Sequence, residues 1–324
     1  MPDLGVIFHP RFPPETLKAY ARRAESAGFS ELWLWDDCFL PGAFTSAAVA
    51  LAATEQLKVG IGLVPATAYN PLFAAMEITT LARAFPGRFL PGFGHGVSSW
   101  MKQIGAAPRS TMKTLEQTVN VVRALLRGER VSVSAHEVHL DNVQMELIPE
   151  QQPPLYIGAI REKSLQLAGR AAEGTILTAM SAPAYVQWAR EQIEAGIRER
   201  PVEIADHRVV VYAQAKVSPD GASAREVVRR LIASQFGTWS DVHLTALGIL
   251  EDAHTLHQRY GAAMALHMPE EWIDALSASG TPEQAAAAIE RLGHAGADSV
   301  VLQPLDGDSA CLDEYIRFLI PLLQ

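Results

Sequence analysis

The sequence predicts an α/β fold: a single (β/α)8 TIM barrel over residues 1–324, with insertions before the fifth strand and between the seventh and eighth. Three observations predict it. Short apolar runs alternate with longer amphipathic ones, as parallel strands joined by crossover helices require. About eight such units fit within 324 residues. No linker rich in Ser, Gly or Pro divides the chain, and no internal repeat is visible. A doubly wound open sheet shares the alternation, but the length and the number of units favour closure.

The units follow in order. LGVIF (4–8) is the first strand, and a helix over about 14–27 stops at Gly28. ELWLW (31–35) is the second strand, followed by a helix over 44–53. KVGIGLV (58–64) is the third, and Asn70-Pro71 opens its helix with Pro in the first turn. RFLPGFG (88–94) is the fourth, with a helix from about 109 to 127. Residues 131–147 alternate polar and apolar, which predicts an inserted hairpin. LYIGA (155–159) and TILTA (175–179) are strands five and six, with helices over 163–172 and 183–199. RVVVYAQAKV (208–217) is the seventh strand, and 219–278 reads as a mainly helical insertion. Residues 280–304 give a helix and then the eighth strand, and a last helix covers about 310–323.

Composition narrows the function. Hydrophobic residues make up 48% and charged residues 19%, which suits a compact enzyme with a large core. A net charge of −9 with scattered Lys and Arg argues against nucleic acid. No apolar run reaches a membrane-spanning length, so no membrane partner is expected. Cys38 and Cys311 are far apart and form no CxxC, and no metal site is expected. The opening MPDLGVIFHP has no basic region before a long apolar run, so no signal peptide is expected, and the two cysteines make a reduced, cytoplasmic setting the default.

Barrel chemistry gathers at the carboxyl ends of strands. Strand two ends in Asp36-Asp37, which could bind a ring nitrogen, move a proton or merely cap the next turn. Gly60 and Gly62 in strand three let backbone approach a planar ligand, or serve tight packing in a narrow barrel. Strand four runs into Gly94-His95-Gly96, which leaves an imidazole able to exchange a proton near neutral pH. After strand five, Gly158-Ala159-Ile160-Arg161 leads into a helix with Lys163 and Ser164 in its first turn. Its free amides favour an anion. His9 ends strand one on the same side. Trp100, Met101, Trp239 and Trp272 suggest an apolar pocket wall, or core. His136 and His139, and the pair His254 and His257, lack the pattern of a metal site.

In their order and spacing, AESAGFSELWLWDD, KVGIGLVPATAYNP, GRFLPGFGHGVSSWMKQIGA, PPLYIGAIREKSLQLAGRAAEGTIL and GTPEQAAAAIERLGHAGAD span nearly the whole chain. Together they resemble the luciferase-like superfamily of flavin and deazaflavin oxidoreductases, above all the methylenetetrahydromethanopterin reductase branch. The resemblance implies a ring across the barrel mouth and a non-prolyl cis peptide at Ile61-Gly62, with Gly60 and Leu63 beside it. It makes Asp36 the acid after strand two. Asp37 stands where related sugar dehydrogenases carry a catalytic histidine, and Val97 where they carry an acid. Arg161-Glu162 replaces the usual Gly-Pro of the phosphate segment. The implied cofactor is coenzyme F420, with FMN in a two-component monooxygenase as the alternative, and a non-catalytic ligand-binding barrel as a third reading. The implied substrate is a small molecule and the implied assembly a homodimer. Asp36, Asp37 and His95 are the expected catalytic residues.

Overall fold

A computed structural model describes residues 1–200, 206–237, 239–305 and 309–323. Eight parallel strands close a barrel: β1 (Asp3–Ile7), β2 (Glu31–Leu34), β3 (Lys58–Pro65), β4 (Phe89–Gly94), then, beyond the hairpin β5 (Val131–Ala135) and β6 (Val138–Val143), β7 (Tyr156–Gly158), β8 (Gly174–Leu177), β9 (Arg208–Ala215) and β10 (Ser299–Pro304). Closure is made where β1 pairs with β2 through Ile7 and Trp33 and with β10 through Val6 and Leu302.

Side chains fill the barrel. Ile7, Trp33, Leu90, Tyr156, Ile176, Val210, Tyr212 and Val301 form one interior cluster. Their bulk requires small neighbours: a Cβ on Gly60 would stand 2.3 Å from Trp33 Cε3. Gly60 is therefore a packing residue beneath an indole, which decides between the two roles open to it in the sequence.

The helices begin where local chemistry starts them. Helices α1 (Leu17–Ser26) and α2 (Ala43–Ala53) cover β1 and β2. Asn70 accepts a hydrogen bond from Leu72 N and Pro71 opens α3 (Pro71–Ala84). A short α4 (Ser98–Gln103) stands in a segment expected to be loop, before α5 (Thr111–Leu126). After β7 and β8 come α6 (Glu162–Ala171) and α7 (Pro183–Ile197). The second insertion holds α8 (Gly221–Ser234), α9 (Asp241–Leu247), α10 (Leu250–Tyr260) and α11 (Glu270–Leu276), packed around Met180, Ile232, Leu244, Met264 and Trp272. A capping box between Thr281 and Gln284 starts α12 (Pro282–His294).

The first insertion is the expected hairpin. His136 and Glu137 both have positive φ, as a two-residue turn requires. The Glu137 carboxylate accepts from Arg109 N and Thr114 Oγ1, which ties the hairpin to the start of α5. The seventh barrel strand ends at Ala215, two residues short of expectation; beyond it, Val217 makes only an isolated bridge with Gly280. No helix among the described residues is long and apolar enough to cross a membrane.

Candidate active site

At the carboxyl ends of the strands lies a cavity of about 420 Å³, within the usual range for small-molecule sites. Asp36, Asp37, Gly62, Leu63, His95, Gly96, Gly158, Ala159, Ile160 and Ser164 line it, all singled out in the sequence. The rest of the expected set lies elsewhere. His9 is buried behind the wall, its ring edge-on to Trp35 at 5.2 Å and its Nδ1 accepting from Arg11 N. Ile61 points outward into the main core. Gly94 lies under Leu63, and Arg161 and Lys163 are exposed beside α6.

The floor is built around β3. A cis peptide joins Gly62 and Leu63, one residue beyond the expected Ile61-Gly62. The reason is register. Ile61 still pairs with Leu34 and with Pro91, and the ladder to β4 slips only between Ile61 and Val64. The slip turns the Leu63 side chain across Gly94 and Gly158; a Cβ on Gly158 would be 2.4 Å from Leu63 Cδ2. The Leu63 carbonyl accepts from Asp36 N, and the Gly62 carbonyl accepts from Tyr212 OH at 3.3 Å. Floor and acidic edge are thus one hydrogen-bonded unit.

The two aspartates differ. Asp36 Oδ1 accepts from Ala43 N at 2.6 Å, at the start of α2, and Oδ2 accepts from Tyr69 OH at 2.7 Å. Burial raises its pKa above the ordinary value; the bonds from Tyr69 and Ala43 oppose this, and Asp37 adds to it. Asp36 therefore both caps a helix and faces the cavity, held in one orientation. Asp37 faces the cavity with no side-chain hydrogen bond to a described residue.

His95 follows β4. Its Nδ1 is buried without a hydrogen-bond partner. Burial lowers its pKa below the ordinary histidine value and so favours the neutral ring, opposed by the backbone of Thr111. Ser164 Oγ accepts from Arg161 N at 3.1 Å and donates to Arg161 O at 2.8 Å, which fixes the start of α6 at the cavity edge.

Sequence reasoning missed Trp35, Tyr69, Thr178, Tyr212 and Gln303. Thr178 directly follows β8, and Gln303 lies near the end of β10, so reading every strand end would have found both. Trp100 and Trp239 line the cavity as expected of a wall, whereas Met101 is buried beside it and Trp272 belongs to the core of the second insertion.

The chain is 27% identical over 331 residues to 5,10-methylenetetrahydromethanopterin reductase of Archaeoglobus fulgidus, covering 99% of both chains. It is 24% identical to the F420-dependent glucose-6-phosphate dehydrogenase of Beutenbergia cavernae, covering 97% of this chain and 95% of that one. Its fold matches the solved coenzyme F420-dependent tetrahydromethanopterin reductase of Methanopyrus kandleri with a TM-score of 0.83, at 23% identity, over 100% and 99% of the two chains. The family model for luciferase-like monooxygenases matches residues 4–299, and the chain belongs to that family.

Proposed function

We propose that this protein is an F420-dependent oxidoreductase that transfers a hydride to or from a small organic substrate at the barrel mouth. The observation that carries the reading is the floor made by Gly62-Leu63 against Gly158, an apolar surface beside two carboxylates and an unpartnered imidazole nitrogen. The full-length similarity to F420-dependent enzymes supports it. The lining fits a flat ring with one polar edge, and the first turn of α6 offers amides and Lys163 to a charged tail.

F420, when bound, supplies a carbon that accepts or donates a hydride and resists oxygen chemistry. The residues of this chain do the rest. Leu63 and Ile160 present apolar surface that excludes water. Asp36, fixed by Tyr69 and Ala43, orients one polar edge. When a substrate carbon loses a hydride, the proton left on its heteroatom passes to His95 or Asp37. In the reverse direction the same group returns it. We assign the proton to His95, whose depressed pKa keeps it a neutral base at pH 7.

Isothermal titration calorimetry with reduced F420 and reduced FMN in separate runs tests the cofactor. Binding of F420 is expected; binding of FMN alone would instead favour the two-component monooxygenase.

A homodimer belongs to the same proposal. Phe73 and Met76 on α3 and Val49 on α2 are exposed apolar groups that a second copy could cover. Light scattering should give twice the mass of one chain. A cytoplasmic location suits two cysteines, Cys38 and Cys311, that are not joined in a disulfide.

A further inference from the structure

Three features of the cavity concern the substrate rather than the cofactor. The first is charge. Asp36 and Asp37 line it, and no Lys or Arg is among the described lining residues. The basic groups of α6 stand outside, exposed. An anion placed beside Asp37 would lose hydration and gain no counter-charge.

The second is the wall. Trp35 at the end of β2, Trp100 on α4 and Trp239 before α9 all face the cavity. Trp239 remains 37% exposed, and Trp100 is touched edge-on by the exposed Phe39 ring at 6.3 Å. Aromatic surface left open at a mouth gains most from covering a flat apolar partner. The third is a pair of neutral polar groups. Thr178 and Gln303 reach the cavity from β8 and β10, and neither side chain is hydrogen-bonded to a described residue. Together they offer donors and acceptors without charge.

We infer that the substrate is an uncharged, flat and largely apolar carbonyl or imine compound with one hydrogen-bonding edge, gripped by the tryptophans and oriented by Gln303 and Thr178, and that phosphorylated sugars are excluded. This rests on the oxidoreductase reading for the kind of bond attacked, but not for the recognition itself.

Calorimetric titration, with and without F420, tests it using 2-tetralone, an uncharged bicyclic ketone, and glucose 6-phosphate. The ketone should bind at least roughly 100-fold more tightly. Asp37→Asn should narrow that gap by about tenfold, through the phosphate and more so at low salt. Trp100→Ala and Trp239→Ala should each weaken the ketone by roughly fivefold or more. Equal affinity for the two probes, or a gap unmoved by Asp37→Asn, overturns the inference. If F420 fails to bind while the gap persists, the cofactor assignment falls and the substrate class stands.

Discussion

The two ends of the barrel hold cavities of similar size, about 420 Å³ at the carboxyl end and about 380 Å³ at the amino end. Their chemistry is opposite. At the amino end Arg123, Glu173 and Arg208 are spent in ion pairs, while Lys58, Arg127 and Asp206 pair with no described residue. Arg123 pairs with Glu173, whose carboxylate also accepts from Leu155 N. Arg208 Nη2 reaches both Asp3 and Glu31, and its buried Nε has no partner among the described residues. At the carboxyl end the side chains of Asp37, Thr178 and Gln303 make no hydrogen bond to a described residue, and His95 Nδ1 is buried without a partner among them. Volume does not separate a site from a structural void. Unspent groups occur at both ends, but the carboxyl end sets two carboxylates and an imidazole against an apolar floor and tryptophan walls.

The sharpest way to break this contrast is Glu31→Ala. Glu31 is fully buried and accepts from Trp33 Nε1 at 2.8 Å, Ser299 Oγ at 2.7 Å and Arg208 Nη2 at 3.1 Å. Removing it strands three donors, one of them charged. Chemical denaturation should show a loss of about 3–5 kcal/mol, while ligand affinity at the mouth, measured on the folded fraction, stays within about twofold. A stable variant with a crippled mouth would show that the amino end is not merely structural.

His95→Asn is the mirror experiment. Turnover should fall by roughly 100-fold, with denaturation midpoints little changed. In wild type, a base-dependent oxidation should lose rate only below the ordinary histidine range, because burial depresses the pKa of His95. An acid limb at or above pH 7 would contradict its assignment as the base.

Acidity distinguishes the two ends in another way. His207, near the start of β9, has its pKa lowered to about 3, by burial first and then by Arg200, opposed by the Ala172 carbonyl. Nδ1 lies 3.0 Å from Arg200 Nη2, which can only donate, and 3.1 Å from the Ala172 carbonyl, which can only accept; burial beside the guanidinium keeps the ring neutral. The unfolded chain binds a proton below about pH 6.5 that the folded chain refuses, so stability rises with pH across that window. Between about pH 6 and pH 4, His207 should remove up to about 1.4 kcal/mol per pH unit. His207→Asn should flatten the stability profile there without moving the activity profile set by His95.

How much of this was legible in the sequence follows a simple division. Asp36, Asp37 and His95 could be found because each directly follows an apolar strand, and strand ends are a local signal. The cis peptide was misplaced by one residue because its position depends on where β3 slips against β4, a contact between strands. Gly60 reads the same whether it faces a ligand or the Trp33 ring, and only packing decides. Helix α4 was missed because six residues carry too little periodicity to announce themselves. The clamp that Tyr69 puts on Asp36 could not be read, because Tyr69 is 33 residues away.

The smallest expected effect sharpens the comparison most finely. Lys163 is exposed in the first turn of α6, next to Glu162, and near the cavity that Ser164 lines. Arg127 is equally exposed and lines the amino-end cavity. Replacing either by alanine should change stability by less than about 0.5 kcal/mol, since neither makes a buried contact. Lys163→Ala should weaken F420 by roughly threefold at low ionic strength, an effect that fades towards about 0.5 M salt as screening shortens its reach. Arg127→Ala should leave F420 affinity unchanged at every salt concentration. If the two variants weaken F420 alike, the loss reflects the net charge of the whole chain and not a tail passing α6, and the phosphate role of that helix start falls.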